Sequence, residues 1–125
     1  DFDVTLVAMN ATKYGGFAET ILPAARKKNV GVVAMKVMRD LVGEAATAKE
    51  LLEYAWTQDG VASATVGHWG METLRENIRI AREYNKNAIT EADQKRLEHR
   101  LSSYAGPHAL CWARPEYRDG GTLKI

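Results

Sequence analysis

Residues 67–70, Gly-His-Trp-Gly, are the stretch best suited to hold a ligand. They follow an apolar run at 61–66 and precede a helix-forming run at 71–84. Gly67 and Gly70 let backbone approach a bound group closely. A helix beginning after Gly70 presents free N–H groups and the positive end of its dipole, a setting that suits an anion, most often a phosphate. A tight turn with no ligand has the same two glycines, so they do not decide the matter. His68 and Trp69 fit either a stacking surface at a pocket rim or a packed indole beside an exposed imidazole.

The other residues able to do chemistry carry less. Lys13-Tyr14 resembles a phenol acid beside its lysine, but sequence neighbours point apart, so the pair reads as loop. Lys36 ends an apolar run, where it suits a phosphate or plain solvation equally. Arg39-Asp40 fits a turn or a loop over a cofactor. His99 sits among charged residues and reads as surface. His108 and Cys111 lack the company a metal site needs. The run "RENIRIAREYNK" is basic but interleaved with glutamate, and reads as a solvated helix face.

Positioning such residues requires elements, and the hydrophobic pattern supplies them. Apolar runs at 3–10, 30–38 and 61–66 predict strands covered on both faces. "TILPAARKKN" predicts a helix capped by Thr20, with Pro23 in its first turn and Lys27 and Lys28 in its last. "TAKELLEYAWTQ" predicts a second, opened by a capping box of Thr47 and Glu50. A third covers 71–84 with Leu74, Ile78 and Ala81 as its apolar stripe. A fourth begins at cap Thr90, with Leu97, Leu101 and Tyr104 as its seam. Strand then helix, three times over, is the order of βα units and implies parallel strands. Periodicity leaves a doubly wound sheet and a (β/α) barrel both open. Residues 1–105 form the folded part, and 106–125 read as an irregular tail.

Bulk properties exclude some classes. A net charge of +1 makes no electrostatic case for nucleic acid or an anionic membrane. No apolar run approaches the roughly 20 residues of a membrane span. The single cysteine, Cys111, allows no internal disulfide and points to a reducing, cytoplasmic compartment. The opening "DFDVTLVAM" enters a strand-like run at once, which is expected of a segment from a longer polypeptide.

Taken in order, "FDVTLVAMN", "ILPAARKKNVGVVAMKVM" and "SATVGHWGMETLRENI" resemble the C-terminal part of the aldo-keto reductase family, nearest its bacterial branch with a ferredoxin-like tail. The likeness spans about residues 2–101. It implies an α/β fold: part of a (β/α)8 TIM barrel, with strands six to eight, their helices and a C-terminal helix. It implies an NAD(P)H-dependent oxidoreductase acting on a small carbonyl or alcohol. A whole barrel takes about 250 residues. The family's catalytic Asp, Tyr, Lys and His belong to the earlier strands, so this chain alone is expected to be inactive. Its expected partners are NADPH or NADH, the carbonyl substrate in the complete protein, and either the missing N-terminal half-barrel or a second copy.

By the same likeness, Gly67, His68, Trp69, Thr73, Glu76 and Asn77 grip the adenosine phosphate and adenine. Met35, Lys36, Val37 and Met38 line the pyrophosphate and nicotinamide. Thr73 stands where NADPH-using members carry an arginine for the 2′-phosphate, leaving Arg75 or His68 as substitutes. Met35 and Leu6 replace the family's stacking aromatic and carboxamide-binding glutamine. The tail, with one cysteine, cannot hold an iron–sulfur cluster. The rival class is a non-catalytic half-barrel module that self-associates, and a third is an unrelated nucleotide-binding sheet, which lacks its G-x-G-x-x-G turn.

Overall fold

A computed structural model describes residues 2–38, 41–43 and 45–118. Arg39 and Asp40, read above as turn or loop, lie outside the described residues, as do the side chains of His108 and Cys111. In chain order the elements are β1 (Val4–Ala8), α1 (Phe17–Lys27), β2 (Gly31–Met35), α2 (Ala48–Thr57), β3 (Val61–Ala64), α3 (Gly70–Glu83) and α4 (Glu91–Leu101). Short 3-10 turns follow, and the tail is not wholly irregular: it forms two of them, at Pro107–Ala109 and Cys111–Ala113, and buries Ala109 and Leu110.

The strands form one parallel sheet in the order β1-β2-β3. Ladder pairing is shorter than the apolar runs. Met9 and Val37, beyond the ends of β1 and β2, are fully buried in the core. These runs are apolar past their strands because the loop segments also pack inside. Val7 on β1 and Val32 and Ala34 on β2 share one sheet face. With Leu22 and Ala25 of α1, Leu51, Leu52 and Ala55 of α2, and Leu97 and Leu101 of α4, they make a single core. The alternate residues Val4, Leu6, Val33 and Met35 lie on the opposite face, and none belongs to that core. Val4 and Leu6 are 54% and 57% exposed, and Phe2, just before β1, is 84% exposed. The fold is mixed α/β, with one sheet face covered by the core and the other open at Val4 and Leu6, where Val33 and Met35 are half-buried and only Ala8 is buried.

Three helix expectations change. α1 starts one turn early, capped by Gly16, and Thr20 is an interior residue whose hydroxyl donates back to the Gly16 carbonyl at 3.0 Å. Phe17, Ala18, Ile21, Leu22 and Ala25 all meet the core, so burial extends the helix past the cap that Thr20 would have made. Pro23 therefore falls inside the helix rather than in its first turn. In α3 the buried residue is Ile80, while Ile78 and Ala81 are exposed. α3 leans on α2, where Tyr84 just past its end meets Trp56 with ring centroids 5.1 Å apart, and this contact fixes which side faces inward. The capping box of Thr47 and Glu50 forms as expected, and Thr90 caps α4 with Asp93 completing a second box.

α2 and α4 run antiparallel. Glu50 meets Arg100, Tyr54 meets Glu98, and Gln58 meets Gln94, in reverse order along the two helices. α2 is thereby enclosed between sheet and α4, which explains why residues 51–55 are all buried.

Candidate functional site

In a parallel sheet the carboxyl ends of all strands share one edge, and ligands gather there. Backbone bonds tie those ends together: Met9 N donates to Met35 O at 2.9 Å and Thr65 N to Ala34 O at 2.8 Å. The residues expected after β2 and after β3 thus come from neighbouring strand ends. Below them Asn10, almost wholly buried, donates from Nδ2 to the Lys36 carbonyl at 3.3 Å. Its Oδ1 accepts from the Thr12 backbone N–H and hydroxyl, at 3.1 and 2.6 Å. Lys36 is held at φ +59, a left-handed conformation costly for a residue with a Cβ. Asn10 and Thr12 brace the loops under this edge. Sequence reasoning passed over them, and the one signal was an asparagine closing an apolar run.

At the end of β3 the turn is open. Gly70 has φ +82, which favours glycine. A Cβ built on Gly67 or Gly70 meets nothing within 4 Å, so backbone stands clear for a ligand. Trp69, the N-cap of α3, is 95% exposed. No side chain caps α3, so its first amides keep their hydrogen-bonding capacity. The Thr73 hydroxyl donates to the Trp69 carbonyl at 3.2 Å. On the next turn Asn77 carries a buried Oδ1 with no hydrogen-bond partner. A buried acceptor left open costs about 1–3 kcal/mol. His68 and Glu76 are exposed.

The expected nicotinamide side is less complete. Met35 and Lys36 are half-buried at the end of β2. Val37 is buried and Met38 packs on the core, so both side chains serve the interior, and Val37 has only its backbone to offer a pyrophosphate. Arg75 does not face the turn: it lines a groove on the outer side of α3 with Ile78, Arg79 and Arg82. Of the two candidate substitutes for a 2′-phosphate arginine, only His68 stands at the turn. Trp69 stands exposed at the turn beside amides that no side chain caps, whereas the Asn77 Oδ1 is enclosed within the protein. The residues present provide no arginine or lysine at the turn for an additional phosphate.

Lys13 does not work with Tyr14. Its Nζ lies 2.5 Å from Glu19 and 3.7 Å from Glu98, and both carboxylates hold it protonated to higher pH than usual. Glu98 also accepts from the Tyr54 hydroxyl at 2.7 Å. Burial first, and then that carboxylate, push the Tyr54 phenol far up. The cluster joins the β1–α1 loop, α2 and α4 by structural bonds. No group of three or more metal-ligating side chains occurs among the described residues, and none of their helices is long and apolar enough to cross a membrane.

Comparison with known proteins finds no matching family model, no matching curated protein and no matching solved structure.

Proposed function

We propose that this chain is the coenzyme-gripping part of an aldo-keto reductase barrel, strands six to eight with their helices. The complete cytoplasmic enzyme would move hydride between NADPH or NADH and a small carbonyl or alcohol. Support comes from the likeness of "ILPAARKKNVGVVAMK" and "VGHWGMETLRENI" to that family. The observation that carries it is an exposed Trp69 and an unpartnered Asn77 Oδ1 along the first two turns of an uncapped helix. An exposed indole offers a face on which a base stacks. The Asn77 amide oxygen accepts the amino hydrogens of adenine once its side chain turns outward toward the base. Open first-turn amides favour the phosphate between them. The coenzyme supplies the hydride; this chain's residues bind and orient it. Proton donation must come from residues this chain lacks.

Calorimetric titration of the full chain with NADH and NADPH tests this. Both should bind, with no strong preference for NADPH because Thr73 replaces an arginine. Asn77→Ala and Trp69→Ala should each weaken binding about tenfold, the worth of one good contact. Coenzyme mixed with aldehydes should stay reduced. No saturable binding, or binding indifferent to both substitutions, would overturn the proposal.

The bare sheet face of Val4 and Leu6 favours a second reading: a non-catalytic half-barrel that associates with itself. A stable dimer with no affinity for either coenzyme would select it.

A further inference from the structure

The sequence pattern leaves "RENIRIAREYNK" as a mixed-charge helix face. On the folded helix the charges are sorted. Arg75, Arg79 and Arg82 stand at helical spacing in one row, on the side of α3 turned away from buried Ile80. Exposed Ile78 lies within that row, and Met71 sits one turn before Arg75, with exposures of 42% and 59%. The arginines and Ile78 line a shallow groove of about 410 Å³, closed at one end by Glu83. Glu72, Glu76 and Glu83 form a separate row beside it.

We propose that this groove is a docking site for an acidic, amphipathic helical segment of another protein. The segment would lay an apolar row on Met71 and Ile78 and set carboxylates against Arg75 and Arg82. Charge complementarity selects this occupant. Arg79 already holds Glu83 of its own helix at 2.8 Å, whereas Arg75 and Arg82 form no ion pair among the described residues. In a second copy the acids of α3, Glu72 and Glu76, are exposed and form no ion pair among the described residues, but they meet the arginine row only in a head-to-tail contact that does not close on itself. Every acidic side chain of α1, α2 and α4 already has a base: Glu19 and Glu98 hold Lys13, Glu50 holds Arg100, Glu53 holds Lys49, Glu91 holds Lys95 and Asp93 holds Arg96. Two α3 helices packed antiparallel about a two-fold axis would set arginine row against arginine row. An anionic membrane or a nucleic acid is broad enough to meet the glutamate row as well, and α3 has as many glutamates as arginines. A single helix is narrow enough to engage the arginine row alone. The proposal does not depend on coenzyme binding, since the groove lies on the far side of α3 from Ile80.

The test titrates the full chain into a dye-labelled synthetic helix bearing a leucine row flanked by glutamates, read by fluorescence anisotropy. A lysine-flanked twin and phosphatidylcholine–phosphatidylserine vesicles run alongside. The glutamate helix should bind saturably and more weakly as salt rises. The double variant R75Q/R82Q, which leaves both side chains long and polar, should weaken it about tenfold, since two screened charge contacts are lost. I78D should weaken it further, and circular dichroism should show both variants as helical as the parent. No binding of the glutamate helix, equal binding of the lysine twin, indifference to R75Q/R82Q, or preference for vesicles would each overturn the proposal.

Discussion

At the scale of single residues, the polar groups that matter most to stability lie outside the candidate ligand turn. Tyr54 is almost fully buried, and its hydroxyl donates to Glu98, which also faces Lys13. A hydrogen bond to a charged acceptor contributes about 1.5–3 kcal/mol. Tyr54→Phe keeps the ring and removes the bond, so urea unfolding should show a loss of about 2 kcal/mol. The phenol also makes a pH prediction. Its pKa is raised on folding, by burial first and then by Glu98. Below the ordinary tyrosine value near 10.0 both folded and unfolded states keep the proton, and the full stability is present. Above it the unfolded chain loses the proton while the folded one holds it, so stability falls as pH rises, by about 1.4 kcal/mol per pH unit for this group. Tyr54→Phe should flatten that alkaline decline. Melting curves from neutral pH to above 10 for both proteins decide it, and parallel declines would show that Tyr54 does not carry the effect.

At the scale of elements, local chemistry that acts within one turn was legible, and chemistry set by neighbours was not. Thr47 with Glu50 and the cap at Thr90 depend on residues three positions apart, and both form. Parallel sense follows from the alternation of runs, and it too agrees. The start of α1 was misplaced because Thr20 is a good cap by type, whereas contacts of Phe17 and Ala18 with the core pull the helix back to Gly16. The buried face of α3 was misplaced because two apolar stripes compete on that helix, and only the docking of Tyr84 on Trp56 chooses between them. At the candidate site, the glycines at 67 and 70 mark a turn, and the structure has one there; the bond from Asn10 to the Lys36 carbonyl was not legible, because it exists only when β1 and β2 lie side by side. The early start of α1 has a measurable cost. Interior Pro23 cannot donate to the Glu19 carbonyl four residues back, and it is exposed, so its ring adds no packing. Pro23→Ala should stabilise the chain by about 2 kcal/mol, the helix gain less the freedom restored to the unfolded chain. A loss of stability on substitution would mean that the ring fixes a bend the core requires.

At the scale of the whole molecule, the distribution of apolar surface is one-sided. α1, α2 and α4 join a single core on one sheet face, while Phe2, Val4 and Leu6 stand exposed on or beside the other. Parallel sheets are ordinarily covered on both faces, because their strands are apolar on both. β1 and β3 are also edges, each with a row of unpaired backbone groups. An open face and two open edges in one small sheet favour association. In isolation the chain should therefore associate as its concentration rises, and it should bind an apolar fluorescent dye. Leu6 already faces solvent, so Leu6→Lys should leave the melting temperature nearly unchanged while placing a charge in the middle of the bare face. Sedimentation velocity over a concentration series should show the variant shifted toward monomer, with less dye bound. If the unsubstituted chain stays monomeric and binds no dye, the face is not a contact surface. If Leu6→Lys associates as before, the contact runs through the strand edges instead, and a proline within β1, which removes a ladder donor, becomes the substitution that should break it.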